Sequence, residues 1–185
     1  MKPAGVKLTW DHYVQFPDDG KRHEVIDGEH YVTPSPFRGH QAIVRELLVA
    51  IANYLSAHPI GEVFDAPFDV ILSKFDVVEP DVLYVSKERV PEVLKDWVRG
   101  APDLVVEVAS DSTRKRDATI KRALYERAGV IEYWIVDPDI EVVRIYQRSG
   151  DRFDRPIELL RGASDVLTSA ILPGFELALD RLFRG

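Results

Sequence analysis

Cysteine is absent from this chain of 185 residues. Its absence excludes a disulfide-stapled scaffold, a zinc ribbon and a cysteine nucleophile. No apolar run approaches the ~18 residues that a membrane-spanning helix requires, and residues 1–10 lack the apolar core of a signal peptide. These absences predict a cytoplasmic protein without a membrane partner.

The chain also lacks a net positive charge. It has 24 lysine and arginine residues against 31 aspartate and glutamate residues, a formal charge of −7, which argues against a protein that coats nucleic acid. The net-positive stretch lies mid-chain, in residues 99–127, with seven basic and five acidic side chains. Because 45% of the residues are apolar and 30% are charged, the composition is typical of a globular protein, and we expect one domain over residues 1–185.

Hydrophobic periodicity predicts strands interleaved with helices. Asp27-Gly28 stands between two strand-like runs and predicts a hairpin turn. Apolar residues at helical spacing predict a long amphipathic helix over residues 39–57 and another over 117–128 that ends at Gly129. Strand-like runs occupy residues 62–65, 68–72, 82–85, 103–110, 131–137, 141–148 and 153–160, with short helices expected near both ends of the chain. This order predicts an α/β or α+β fold, a mixed sheet flanked by helices.

Glu107 is a charged residue inside the otherwise apolar run Asp103 to Ser110, which reads as a central strand covered on both faces. A buried carboxylate is costly unless it is paired, hydrogen-bonded or bound to a metal. Asp103 lies on the same face but about 13 Å away, at ~3.3 Å per residue. Two carboxylates so far apart cannot hold one ion, so Glu107 requires a partner from another strand.

Asp81 is the natural candidate for that partner. It follows Pro80 and opens the apolar run VLYV, as Asp103 follows Pro102 and opens LVVEV. A proline favours extended geometry in the residue before it, so each aspartate stands at a strand entrance. Both aspartates could simply terminate strands, and this interpretation is stronger for Asp103.

Lys121 supplies a third charged group. In the predicted helix over residues 117–128, Lys121 borders the sheet-facing side, on which Leu124 lies, whereas Arg122 points away from the sheet. Its ammonium could pair with Asp117 four residues earlier, or it could reach a metal-bound water beside Glu107. The spacing allows both.

Two acids and a lysine beside apolar walls suit the hydrolysis of a phosphodiester. Carboxylate oxygens bind Mg²⁺, which takes further ligands from phosphate and water. The ion polarises the phosphoryl oxygen and lowers the pKa of a bound water. A nearby ammonium can orient that water and stabilise the developing charge.

The segments EPDVLYV, PDLVVEV and RDATIKRALYERAGVIEYWIVDPD, with HEVIDGE before them and LPGFEL after them, cover most of the chain. Together they resemble the Uma-type restriction endonuclease family of the PD-(D/E)XK nuclease superfamily. The resemblance implies a restriction-endonuclease-like mixed sheet core, DNA as substrate, and Mg²⁺ as cofactor, for which Mn²⁺ can substitute.

By the resemblance, Asp81, Glu107 and Lys121 are catalytic, and Asp81, Glu107 and Glu24 are the metal ligands. The superfamily's lysine falls two residues after the acid, where this chain has Ala109. In the Uma-type family the lysine comes from the following helix, which matches Lys121.

Other polar and aromatic residues carry weaker expectations. His40, at the head of the long helix, could touch substrate, although capping or exposure is the stronger interpretation. Arg114 is expected to be a solvated charge, and Tyr125 and Trp134 are expected to pack.

Three functions remain open on the sequence. The first is a Mg²⁺-dependent endonuclease, expected to act as a homodimer or higher oligomer because cutting both strands generally requires two sites. The second is a non-catalytic module that keeps the nuclease fold for binding or assembly. The third is a metal-dependent phosphoesterase acting on a small nucleotide.

Overall fold

The structure is a computed structural model that describes residues 5–184. Its helical segments are α1 (Trp10–Tyr13), α2 (Arg38–Ala57), α3 (Val90–Val93), α4 (Arg114–Arg116), a π-helical turn (Asp117–Lys121), α5 (Arg122–Ala128), a 3₁₀ turn (Arg161–Ala163) and α6 (Leu179–Leu182). Its strands are β1 (Arg22–Ile26), β2 (Glu29–Thr33), β3 (Gly61–Asp65), β4 (Val70–Ser73), β5 (Asp76–Val78), β6 (Val82–Ser86), β7 (Val98–Arg99), β8 (Leu104–Val108), β9 (Glu132–Asp137), β10 (Val142–Ser149), β11 (Arg152–Phe153), β12 (Ile157–Leu160), β13 (Val166–Thr168) and β14 (Glu176–Ala178).

A seven-stranded mixed sheet forms the centre of the fold. Its order is β11-β10-β9-β8-β6-β3, with β12 also paired to β10. Strands β8 and β9 are parallel, and their partners on either side are antiparallel. Parallel neighbours require a crossover connection, which here is the helical stretch from α4 to α5. The predicted mixed sheet is confirmed, and β8 is fully buried inside it.

A second, five-stranded sheet has the order β2-β1-β5-β4-β7. The predicted hairpin joins β1 to β2, and its two turn residues have positive φ, 51° at Asp27 and 77° at Gly28. This is the backbone that an Asp-Gly hairpin turn adopts. The sheet carries Arg22 and Glu24, which lie two residues apart on one face of β1.

The two faces of the central sheet pack against different helices. On one face, α2 buries its apolar stripe, including Leu47 and Ile51, against Trp134. On the other face, Leu124 and Tyr125 of α5 pack against Tyr133. Val105 of β8 packs on the α5 side of the sheet. Glu107 lies two residues further along the same strand, so the Glu107 side chain faces that side too.

Two predicted boundaries were wrong, and the short helix predicted near the end of the chain is present as α6. The second long helix begins at Arg114, before the expected residue 117, and contains the π-helical turn. The expected edge strand over residues 153–160 is divided into β11 and β12 around Pro156, because proline has no N–H for a ladder. The tail forms β14 as well as a short helix. Within residues 5–184, no helix combines the length and apolar character needed to cross a membrane.

Candidate active site

Asp81 and Glu107 lie side by side at adjacent strand ends. Strands β6 and β8 are antiparallel, with Val82 opposite Val106. Extending this register by one residue puts Asp81 opposite Glu107, on the same face of the sheet. The backbone N–H of Val108 donates to Asp81 Oδ2 at 2.8 Å and fixes the aspartate beside the glutamate. The predicted partnership across two strands is therefore present.

Asp81 is buried and fully hydrogen-bonded. Its Oδ1 accepts from Arg22 Nη1 at 2.7 Å, and its Oδ2 lies 3.2 Å from His40 Nε2. Burial alone would raise the pKa of Asp81, but the His40 hydrogen bond and the Arg22 charge lower that pKa to about 2. Asp81 is thus a carboxylate at neutral pH.

Lys121 is buried against Glu107. Its Nζ donates to Glu107 Oε1 at 2.8 Å and lies 2.7 Å from Glu24 Oε1. It therefore pairs with these acids, and among the described residues no ion pair joins it to Asp117. Burial would lower the pKa of Lys121, but the neighbouring Glu107, Glu24 and Asp117 raise it, so the ammonium keeps its proton.

Glu107 has the opposite balance from Asp81. Burial raises its pKa to about 8, since the attraction of Lys121, which lowers the pKa, does not offset burial and the repulsion from Asp117, Asp81 and Glu24. The hydroxyl of Tyr125 donates to the same Oε1 at 2.6 Å, so this expected packing residue also orients the acid. Oε2 of Glu107 accepts no hydrogen bond within the described chain.

Glu24 enters the site from β1. It is completely buried, and its Oε1 accepts the backbone N–H of Glu79 as well as contacting Lys121. Its Oε2 is buried without a hydrogen-bond partner in residues 5–184, although Arg116 Nη2 lies 3.6 Å away. One oxygen of Glu24 is thus committed to Lys121, and the other is free to accept a further ligand.

The structure corrects the interpretation of His40. Its side chain is 13% exposed and contacts Asp81, and α2 begins before it, at Arg38, so the histidine neither caps the helix nor projects into solvent. Tertiary packing brings the first turn of α2 over the end of β6, which helical periodicity does not reveal.

Three site residues were missed by the sequence interpretation. Arg22 binds Asp81, whereas Arg116 and Asp117 precede Lys121 by about one turn and line the same cavity. Asp117 is buried, one of its oxygens has no partner in the described chain, and burial raises its pKa. The available signal was the i, i+4 spacing of Asp117 and Lys121, which was interpreted only as an ion pair.

Two other candidates lie in structural ion pairs. Asp103 accepts the Ser86 N–H at 2.7 Å and binds Arg89 at 2.9 Å. Arg114 donates to Asp137 at 2.8 Å and so is tied to the end of β9 rather than free in solvent. These contacts favour the interpretation of Asp103 as a strand terminator.

A cavity of about 430 Å³ opens onto Asp81, Glu107 and Lys121, a size typical of ligand sites. Its wall combines charged groups with the proline-containing segment from Thr33 to Phe37 and with the turn after β8. The charged and titratable lining residues are Arg22, His40, Asp81, Glu107, Asp111, Arg116, Asp117, Lys121 and Asp139.

The donor set suits a hard divalent cation. Mg²⁺ prefers carboxylate oxygens, and buried oxygens of Glu24 and Asp117 have no hydrogen-bond partner in the part of the chain described. The set is not preformed, since residues 5–184 contain no group of three histidine, aspartate or glutamate side chains arranged to hold a metal ion. Arg22, His40 and Lys121 instead contact the oxygens of Asp81, Glu107 and Glu24 that an ion would share.

Comparison with solved structures identifies a protein of the same fold. The crystal structure of a protein from Anabaena variabilis ATCC 29413, described as a "putative nuclease belonging to DUF820", superposes with a TM-score of 0.82 at 19% identity, over 95% of this chain and 97% of that chain. No curated protein matches the sequence.

Comparison with protein families covers nearly the whole sequence. Residues 10–180 match the Uma2 family, described as "Putative restriction endonuclease", and this span includes every residue of the site described above. The resemblance inferred from the sequence is thereby confirmed, and the chain belongs to the Uma2 family.

Proposed function

We propose that this protein is a Mg²⁺-dependent endonuclease that hydrolyses DNA phosphodiester bonds. The observation that carries the proposal is the convergence of Asp81, Glu107 and Lys121, from three separate elements, at one cavity. Family membership supports a nuclease.

Asp81, Glu107 and Glu24 would hold the ion, with Mn²⁺ able to replace Mg²⁺. When bound, the ion polarises a phosphoryl oxygen and lowers the pKa of a bound water. The unpartnered Oε2 of Glu24 and the uncommitted Oε2 of Glu107 support this assignment.

Lys121 would position the attacking water and stabilise the charge that develops on the phosphate. Its ammonium stays protonated because acids surround it. Tyr125 and Glu24 hold Glu107 and Lys121 respectively in place, so both groups are oriented before substrate arrives.

A non-catalytic module of the same fold is the second candidate. It is favoured by the cationic side chains that contact the proposed ligands and by the lack, in residues 5–184, of a preformed three-ligand group. In this case the site would be an internal ion-pair network, and added metal would not bind there.

Cleavage of supercoiled plasmid and of linear duplex in the presence of Mg²⁺ or Mn²⁺ tests these alternatives. We expect nicking or cutting by the wild type, loss of activity in Glu107→Ala and Lys121→Ala, and retained activity in Lys115→Ala, which alters an exposed lysine of the same helical stretch. Absence of cleavage on duplex, single-stranded and branched DNA, together with absence of metal binding, would instead establish the non-catalytic module.

A homodimer or higher assembly is part of the proposal, because each chain supplies one site and duplex cleavage requires two strands to be cut. Sedimentation analysis at the working concentration should give more than one 21.0 kDa chain per particle. A monomer that nevertheless cuts both strands would contradict this.

A further inference from the structure

Two arginines in the cavity wall have more donors than the protein uses. Arg22 makes one side-chain hydrogen bond, to Asp81, and Arg116 makes one, to Thr33 Oγ1 at 2.6 Å. A guanidinium has five N–H groups, so each leaves four without a hydrogen-bond acceptor in residues 5–184. Arg116 Nε is buried as well as unpartnered.

The two arginines approach the same wall of the cavity. Thr33, which binds Arg116, is directly opposite Arg22 in the β1–β2 ladder. Residues opposite each other in an antiparallel pair share a face at ~5 Å, so Arg116 reaches the same wall from which Arg22 projects. Both residues line the cavity that contains Glu107 and Lys121.

Neither arginine is a freely moving surface charge. The side chains are 19% and 13% exposed, for Arg22 and Arg116 respectively. Arg22 is fixed by Asp81, and Arg116 lies over the ring of Tyr31 with its guanidinium carbon 5.5 Å from the centroid. Because both side chains are already ordered in the folded protein, binding of an anion would cost little additional side-chain entropy.

Paired, oriented guanidinium groups match the oxygens of a phosphate, to which they donate charge-assisted bonds. A carboxylate has only two acceptor oxygens, in one plane, and so matches two separate guanidinium groups less well. A phosphate can accept from both arginines at once through separate oxygens.

We propose that Arg22 and Arg116 form a phosphate-binding subsite that holds a backbone phosphate of the nucleic-acid substrate. The identity of the substrate rests on the proposed nuclease function. Phosphate binding by the two arginines itself requires no metal ion. Arg22 and Arg116 are therefore binding residues.

Calorimetric titration of the metal-free protein with inorganic phosphate, in EDTA, tests the subsite apart from cleavage. We expect Arg116→Gln to weaken phosphate binding by about tenfold or more, and Arg116→Lys to restore part of it. Arg122→Gln is the matched control, because Arg122 belongs to the same helical stretch and does not line the cavity; it should bind as the wild type does.

Equal affinities in Arg116→Gln and Arg122→Gln would overturn the subsite. If Arg116→Gln fails to fold, thermal unfolding of the wild type decides: about 1–5 mM phosphate, too dilute for a general salt effect, should raise its melting temperature at constant ionic strength, and no shift would overturn the proposal. Phosphate binding without DNA cleavage would leave the subsite standing and refute the nuclease. DNA cleavage by a protein that binds no phosphate in the absence of metal would support the nuclease and refute the subsite.

Discussion

At the scale of single residues, burial leaves Asp81 and Glu107 with very different pKa values. Both carboxylates are almost completely buried. Asp81 receives hydrogen bonds from Arg22, His40 and the Val108 backbone, so its pKa falls to about 2. Glu107 shares one ammonium with other acids, and burial raises its pKa to about 8. Separated pKa values within one site are typical of acid–base function.

Metal affinity should depend on pH through Glu107. A metal binds the carboxylate, so the proton held below a pKa of about 8 must leave first. We expect Mn²⁺ affinity, measured by calorimetry, to increase as the pH rises from about 6 to 8 and then to level off. Asp81 contributes no slope in this range because it is already ionised. Glu29→Gln, at an exposed acid, should leave the profile unchanged, and a flat wild-type profile would exclude Glu107 as a titrating ligand.

Removal of the Lys121 charge should destabilise the fold. In Lys121→Met the stem remains, but Glu107 and Glu24 lose their shared ammonium in a buried site. Breaking a buried ion pair from one side costs about 3–5 kcal/mol, which urea unfolding at a pH above the Glu107 pKa of about 8 would measure. Lys115→Met, at an exposed position of the same stretch, should change stability by less than about 0.5 kcal/mol. Equal stability of the two variants would contradict the ion-pair network.

At the scale of elements, the π-helical turn decides which side chains reach the cavity. Such a turn holds one extra residue in a helix and often occurs at functional sites. Here it spans Asp117–Lys121, and both of its end residues line the cavity. Removing one residue from this stretch would rotate the segment before it by about 100° relative to α5, and Arg116 would then turn away from Lys121.

Deleting exposed Thr119 should therefore restore a regular helix and abolish cleavage. Leu124 and Tyr125 are anchored in the core, so we expect the first turn, with Arg116 and Asp117, to rotate out of the cavity. Circular dichroism should show a folded protein, and the plasmid assay should show no product. Thr119→Ala, which keeps the residue but loses the bond to the Lys115 carbonyl, is the control. An active deletion variant would show that the turn is dispensable.

At the scale of the whole molecule, the charge of −7 limits how the protein can hold DNA. The cavity presents two arginines with uncommitted donors, and the surface as a whole is acidic. Only a few DNA phosphates can then be neutralised. The logarithm of the association constant for duplex DNA should therefore fall with the logarithm of the salt concentration with a slope of about −2 to −3. Fluorescence anisotropy with cleavage-deficient Glu107→Gln would measure it. A much steeper slope would reveal a basic surface elsewhere in the assembly.

Local sequence determined several strands and helices, and it pointed to Asp81 and Glu107 as the acids of the site. The Asp27-Gly28 turn, the apolar stripe of α2 and the Gly129 helix end all follow from short-range rules, because turn geometry and periodicity are local properties. A glutamate inside an apolar strand indicated a site before any contact was known, since buried charge requires a partner. The single domain over residues 1–185 and the cytoplasmic location stay predictions.

Only the tertiary structure decided how the charges are shared. Whether Lys121 pairs with Asp117 or with Glu107 depends on how the helix packs against β8 and β1, which the spacing within one helix does not show. Arg22, His40 and Arg116 come from elements far apart in the chain, and their positions depend on how two sheets and α2 pack. Sequence by itself determined which chemical groups this protein has and which strands and helices carry them. Packing determined which of these groups meet, because contacts between distant segments are set by the burial of whole faces.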